Sequence, residues 1–189
     1  IAKKIVQIYI YKKEYVKLLS FLKKSNSNND LLLQLYRNSN NYEKAYKLAE
    51  KLYEENGEID YFAQSAMFEY ESAKDKNNKK MQRSVVEKLT KVVKLDNSPL
   101  YLNYLGYLLI NHSIDIDKGM KYVREALEIE PNSAFYMDSL AWGYYKLGRC
   151  KKASEIMKNV LKLEGGDDSE VLKHIEEINR CKNKKTGVK

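Results

Sequence analysis

Two histidines and two cysteines are the side chains whose chemistry would be most telling in this sequence. His112 stands beside Asp115 and Asp117, while His174 lies far along the chain. A metal centre needs several converging ligands, usually spaced as HxxxH, CxxC or HExxH, and none of these spacings occurs. The fragment Asp115-Ile116-Asp117-Lys118-Gly119 starts like a calcium loop, but its third acidic residue and the spaced glutamate are misplaced. Gly143 to Gly148 has the glycine spacing of a phosphate loop. Arg149-Cys150 then stands where Lys-Ser or Lys-Thr is required, and no strand-like run precedes it. No nucleophile elbow or dinucleotide loop is present. These absences predict a protein that is not an enzyme, with no metal, no cofactor and no small-molecule substrate.

The elements that would carry such residues follow from composition. The 189 residues are 43% hydrophobic and 32% charged, too apolar for a disordered chain. Eight glycines and two prolines are too few for the many tight turns of a sandwich or barrel. No run approaches the roughly 20 apolar residues of a membrane helix; the longest candidate, Pro99 to Ile110, is broken by Asn103. The expectation is a soluble, helix-rich protein. Its net charge of +8 is concentrated at the end, in Arg180, Lys182, Lys184, Lys185 and Lys189. That distribution reads as a solvated basic tail over 183–189, with binding to nucleic acid or another anionic surface as the alternative. The first residue is Ile and no signal-peptide pattern follows, so the chain is expected to have been trimmed and preceded by more of the same architecture.

Self-similarity organises the chain. Met137, Leu140, Ala141 and Tyr144 form one helical stripe, Gly148 breaks it, and Ala153, Met157, Val160 and Leu163 form a second. One unit earlier, Leu102, Leu105, Gly106 and Leu109 repeat the first stripe. Gly119, Val123, Ala126 and Ile129 repeat the second, followed by Pro131. The small residues let antiparallel helices approach closely. The phrases YLGYLL…ALEIEPN and SLAWGYYKLG…A resemble the tetratricopeptide repeat, a helix-turn-helix of about 34 residues. The resemblance is weaker upstream, through Tyr36, Tyr42, Ala45, Ala49 and Leu52, and through Ile5, Val6, Tyr9, Tyr15, Leu18 and Leu22. Between these, 58–97 pairs Phe62, Ala66 and Tyr70 with Val85, Leu89, Val92 and Leu95 around a polar insertion, Lys74 to Lys80.

The resemblance implies an all-α, right-handed superhelical solenoid of about five antiparallel helix pairs, at 1–25, 26–57, 58–97, 98–132 and 133–167. A capping helix over 168–182 would cover the last repeat, with Val171, Leu172, Ile175 and Ile178 inward and Glu170, Glu176 and Glu177 outward. Antiparallel packing of that cap on the preceding helix puts 17 residues from Cys150 to the turn near Asp167 and 14 from there to Cys181. At about 1.5 Å per residue the two thiols could lie side by side. Two readings stay open: a disulfide, which implies an oxidising compartment, or two unrelated thiols.

In this family the first helix of each repeat lines the concave face. By that resemblance the partner-binding groove comprises Met67, Tyr70, Asn103, Tyr107, Ile110, Asp138, Trp142, Tyr145 and Lys146, with Leu100, Asn111 and Phe135 beside them and Gln34 and Arg37 upstream. The Lys/Asn/Arg clamp with which some members grip a carboxylate terminus is absent, since Asn103, Tyr104, Tyr107, Asp138, Ser139 and Trp142 occupy its places. A hydrophobic segment or partner helix is therefore the expected ligand. The implied role is a non-catalytic scaffold or adaptor that binds another protein. The C-terminal pair most resembles bacterial scaffolds of the periplasm or envelope, with the cytoplasm as the alternative. Self-association through the N-terminal repeat is a further possibility.

Overall fold

The computed structural model describes residues 1–186, with side chains as far as Cys181. Among these residues every regular element is a helix. In chain order they are α1 (Ala2–Tyr11), α2 (Tyr15–Ser25), α3 (Asn29–Asn38), α4 (Tyr42–Asn56), α5 (Ile59–Ser72), α6 (Lys79–Leu95), α7 (Pro99–Asn111), α8 (Ile116–Ile129), α9 (Ala134–Lys146), α10 (Cys150–Val160) and α11 (Ser169–Thr186). Two helices fall within the residues of each expected repeat. The chain divides into two compact units, Ile1–Val85 and a second that begins at Val86, the boundary falling within α6.

Helix ends follow local chemistry. Asn28 Oδ1 accepts from Leu31 N at 2.9 Å, and Asp115 Oδ1 from Lys118 N at 3.0 Å, each satisfying a free amide at a helix start. Pro99 opens α7, where its missing N–H costs nothing. Gly148, at φ +71°, turns the chain after α9 in a left-handed conformation that favours glycine.

In the first unit the core combines aliphatic side chains with Tyr36, Tyr61 and Phe68. Leu18, Leu22, Ala45 and Ala49 have no exposed surface, and Leu32, Leu33, Tyr36 and Leu52 close around them. In the second unit α7 and α8 cross at two glycines. A Cβ on Gly106 would lie 2.7 Å from the Gly119 carbonyl oxygen, and one on Gly119 would lie 2.6 Å from that of Gly106. The next pair, α9 and α10, brings fully buried Ala141 and Ala153 into the same core. Close backbone approach is thus the physical content of the small-residue pattern.

Two expectations are corrected at the C-terminal end. Helix α10 stops at Val160, so Leu163 packs on the core from the following turn rather than from the helix. Helix α11 continues to Thr186 instead of ending at 182, because no glycine or proline interrupts the chain before Gly187. Four residues of the expected tail are therefore helical, and residues 187–189 lie outside the described residues. Along α11, Val171 and Ile178 are buried, whereas Leu172 is 43% exposed and points away from the core.

Candidate functional site

The second unit assembles Tyr107, Asp138, Trp142 and Tyr145 of the expected groove around α11. Asp168 starts this helix, its Oδ1 accepting from Glu170 N at 2.8 Å. Glu170, His174 and Glu177 are spaced by four and three residues, which places them on one helical face. Each meets a different groove residue. Tyr107 Oη, from α7, donates to Glu170 Oε1 at 2.5 Å. Tyr145 Oη, from α9, donates to Glu177 Oε2 at 3.1 Å. His174 Nδ1 lies 3.0 and 2.8 Å from the two carboxylate oxygens of Asp138, on α9. With Asp138 ionised its carboxylate only accepts, so Nδ1 is the donor.

Trp142 is the centre of this arrangement, although only 5% exposed. Its indole stacks on the His174 imidazole, with ring centres 4.0 Å apart and planes 17° apart, and on Tyr145, with centres 4.6 Å apart. Its Nε1–H donates to Asn111 Oδ1 at 3.0 Å. Lys146 Nζ stands 5.1 Å from the indole centre, within range of a cation–π attraction. The indole N–H and the Nδ1–carboxylate pair are thereby each set against a partner, as burial demands.

Burial and charge act together on this cluster. Desolvation pushes the Asp138 carboxyl above its ordinary range, opposed by the hydrogen bond and charge of His174 and reinforced by the nearby Glu170 and Asp168. Burial likewise raises the Tyr145 phenol, and the Glu177 carboxylate adds to it. No group of three or more His, Cys, Asp or Glu side chains converges on a point among the described residues. The geometry holds a helix against the groove residues.

The remaining groove residues are placed differently. Ile110 has no exposed surface and packs with Met120 and Val123, beneath the bare Cα of Gly143, so it belongs to the core rather than to a groove. Asn103 is half-buried; its Oδ1 is shut off from solvent and finds no donor among the described residues. In the first unit Tyr70 is buried, with Lys76 Nζ bonded to its carbonyl oxygen and 4.4 Å from its ring centre, while Met67 is half-buried. Leu100 and Phe135, at equivalent places near the starts of α7 and α9, remain 47% and 50% exposed. Phe135 borders a shallow cavity of about 690 Å³ with Glu130, Pro131, Ser133 and Gly165.

Cys150, at the start of α10, and Cys181, on α11, are joined as a disulfide with Cα atoms 5.9 Å apart. The residues that sequence reasoning left out are Glu170, His174 and Glu177 as contacts of the groove, the two glutamates having been expected to face solvent. Their spacing was the available signal, but nothing local pairs His174 with a carboxylate 36 residues away.

Stacked helix pairs joined by short turns, with small residues at the crossings and a final helix on the last pair, define a helical-repeat protein. A profile of the tetratricopeptide repeat matches residues 11–174, and the chain belongs to that family. Tetratricopeptide repeat proteins form helical solenoids that bind other proteins or peptides. The fold is similar to TTC0263 of Thermus thermophilus at 13% identity and TM-score 0.69, over 93% of this chain and 96% of that one. It is also similar to MamA of Desulfovibrio magneticus RS-1, at 18% identity and TM-score 0.66, over 89% and 96%. A third similar structure is YrrB, a repeat protein with an unusual peptide-binding site, at 16% identity and TM-score 0.62, over 92% and 89%. No curated protein matches the chain.

Proposed function

We propose that the chain is a non-catalytic adaptor that holds a peptide or helix of another protein on the first-helix face of its repeats. The observation that carries this is the pair Leu100 and Phe135, half-exposed on helices that otherwise bury their apolar side chains. Apolar and aromatic anchors of this kind supply much of the affinity in protein interfaces. The peptide-binding site of the similar YrrB supports the same use of the fold. The disulfide supports an oxidising compartment, which for a bacterial protein is the periplasm or envelope.

The test is affinity capture from an extract of the source cells, comparing wild type with a Leu100→Ala/Phe135→Ala variant. Both side chains are half in solvent, so truncation leaves little cavity and the fold should persist, as circular dichroism would verify. A protein retained by wild type and lost by the variant is the expected result. Equal retention by both would refute the groove as the binding surface. A second reading, self-association, draws on Ile8 and Tyr11 of α1 and Tyr15 and Val16 of α2, all exposed. It predicts a mass that rises with concentration in sedimentation.

A further inference from the structure

The aromatic face of α7 and α9 already holds a helix. Glu170, His174 and Glu177 make one face of α11, and each finds a matched partner in Tyr107, in Asp138 with Trp142, or in Tyr145. A helix that merely covered the last repeat would need only its apolar residues, Val171 and Ile178, which are buried in the core. The polar face instead complements the groove residue by residue, as a ligand would. Its far end is tied covalently by Cys150–Cys181.

We propose that α11 is the resident ligand of this groove and that the disulfide latches it there. When the bond is reduced, the groove accepts a partner helix with a carboxylate, an imidazole and a carboxylate at positions i, i+4 and i+7. This rests on the adaptor reading above and gives it a ligand chemistry and a control. Cys150 is buried whereas Cys181 is partly exposed, so a dithiol reductant attacks the Cys181 sulfur. The first exchange forms a mixed disulfide and expels Cys150 as a thiolate, which takes up a proton. The reductant's second thiol then displaces Cys181. Two electrons pass to the protein, leaving two thiols there and one disulfide in the reductant. Helix α11 is then held by non-covalent contacts alone and exchanges with competing helices.

The probe is a fluorescent peptide of residues 168–180, together with the same peptide carrying Ala at 170, 174 and 177. Because the tethered α11 competes at high local concentration, binding is measured on the full chain carrying His174→Ala, oxidised and reduced. The expected result is a Kd at least tenfold tighter in the reduced protein, with the triple-alanine peptide at least tenfold weaker. Equal affinity in both redox states, or equal binding by the two peptides, would overturn the proposal. Should neither state bind peptide, acrylamide quenching of Trp142, the sole tryptophan, decides. In the wild-type chain a several-fold rise on reduction, reproduced in Cys150→Ser/Cys181→Ser, supports the latch, and an unchanged value refutes it. Partner capture that depends on Leu100 and Phe135 but not on reduction would remove the latch and leave the adaptor. Opening at Trp142 with no protein captured in either state would do the reverse.

Discussion

The first and last helices of the described chain, α1 and α11, meet the same physical problem with different means. Among the described residues each has neighbours on one side only, and such a helix buries less apolar surface than one within a stack. Helix α1 buries a single residue, Val6, and leaves Ile8 half exposed and Ile10 little less so. Helix α11 buries Val171 and Ile178 and adds the His174–Asp138 pair, two tyrosine–carboxylate bonds and a disulfide. Directional and covalent contacts therefore supply at one end what apolar area does not supply at the other. They also specify orientation, since a rotation of α11 about its axis would leave Asp138 and His174 buried and unpaired.

The contrast is most severely broken at Trp142. Trp142→Ala removes the ring on which His174, Tyr145 and Lys146 assemble and should cost about 3–5 kcal/mol, read as a fall in the urea midpoint of the second unit. A loss below about 1 kcal/mol would show that the stack contributes little. Next comes the covalent tie. Cys150→Ser/Cys181→Ser, or reduction of the wild type, should cost roughly 3 kcal/mol for the loop closed by the Cys150–Cys181 bond, checked by thermal unfolding with and without reductant. Hydrogen exchange sharpens the same comparison: amides of α11 should be slow in the oxidised protein and those of α1 fast, and equal protection would erase the distinction.

Asp138→Ala should cost about 1–3 kcal/mol, because it strands the buried His174 Nδ1–H without an acceptor. Asp138→Asn keeps an acceptor and isolates the titration. Burial raises the Asp138 carboxyl, so the fold favours its protonated form. That stability is complete below the unfolded value, about 3.9, and is lost as pH rises through the raised folded value. The stability of wild type relative to Asp138→Asn should therefore decline as pH rises from about 4 until Asp138 is ionised, measured by urea midpoints along a pH series. A difference that is flat or rising with pH would contradict the sign. The smallest effect belongs to α1. Ile8→Ser should change stability by no more than about 0.5 kcal/mol, since half of that side chain is already in solvent.

Much of the architecture was legible without coordinates, and for a local reason. A 3.6-residue period records which side of a helix is covered, so the stripes through Leu102, Leu105 and Leu109 and through Ala153, Met157 and Val160 mark buried faces. Glycine and alanine at 106, 119, 141 and 153 announce crossings that larger side chains would forbid. Gly148 and Pro99 punctuate the chain through backbone sterics that need no tertiary partner. The limits of α10 and α11 were less legible, because several residues on either side of each boundary can fray or continue a helix at similar cost.

Residue types and their spacing mark out the helices and, for most of them, the buried face. Packing between distant segments sets the rest: Ile110 turns into the core, and α11 lies with Glu170, His174 and Glu177 against Tyr107, Asp138, Trp142 and Tyr145. Periodicity is written by short-range backbone geometry. The rotation of one helix upon another is settled by the simultaneous packing of side chains far apart in the chain, and no stretch of sequence contains that sum.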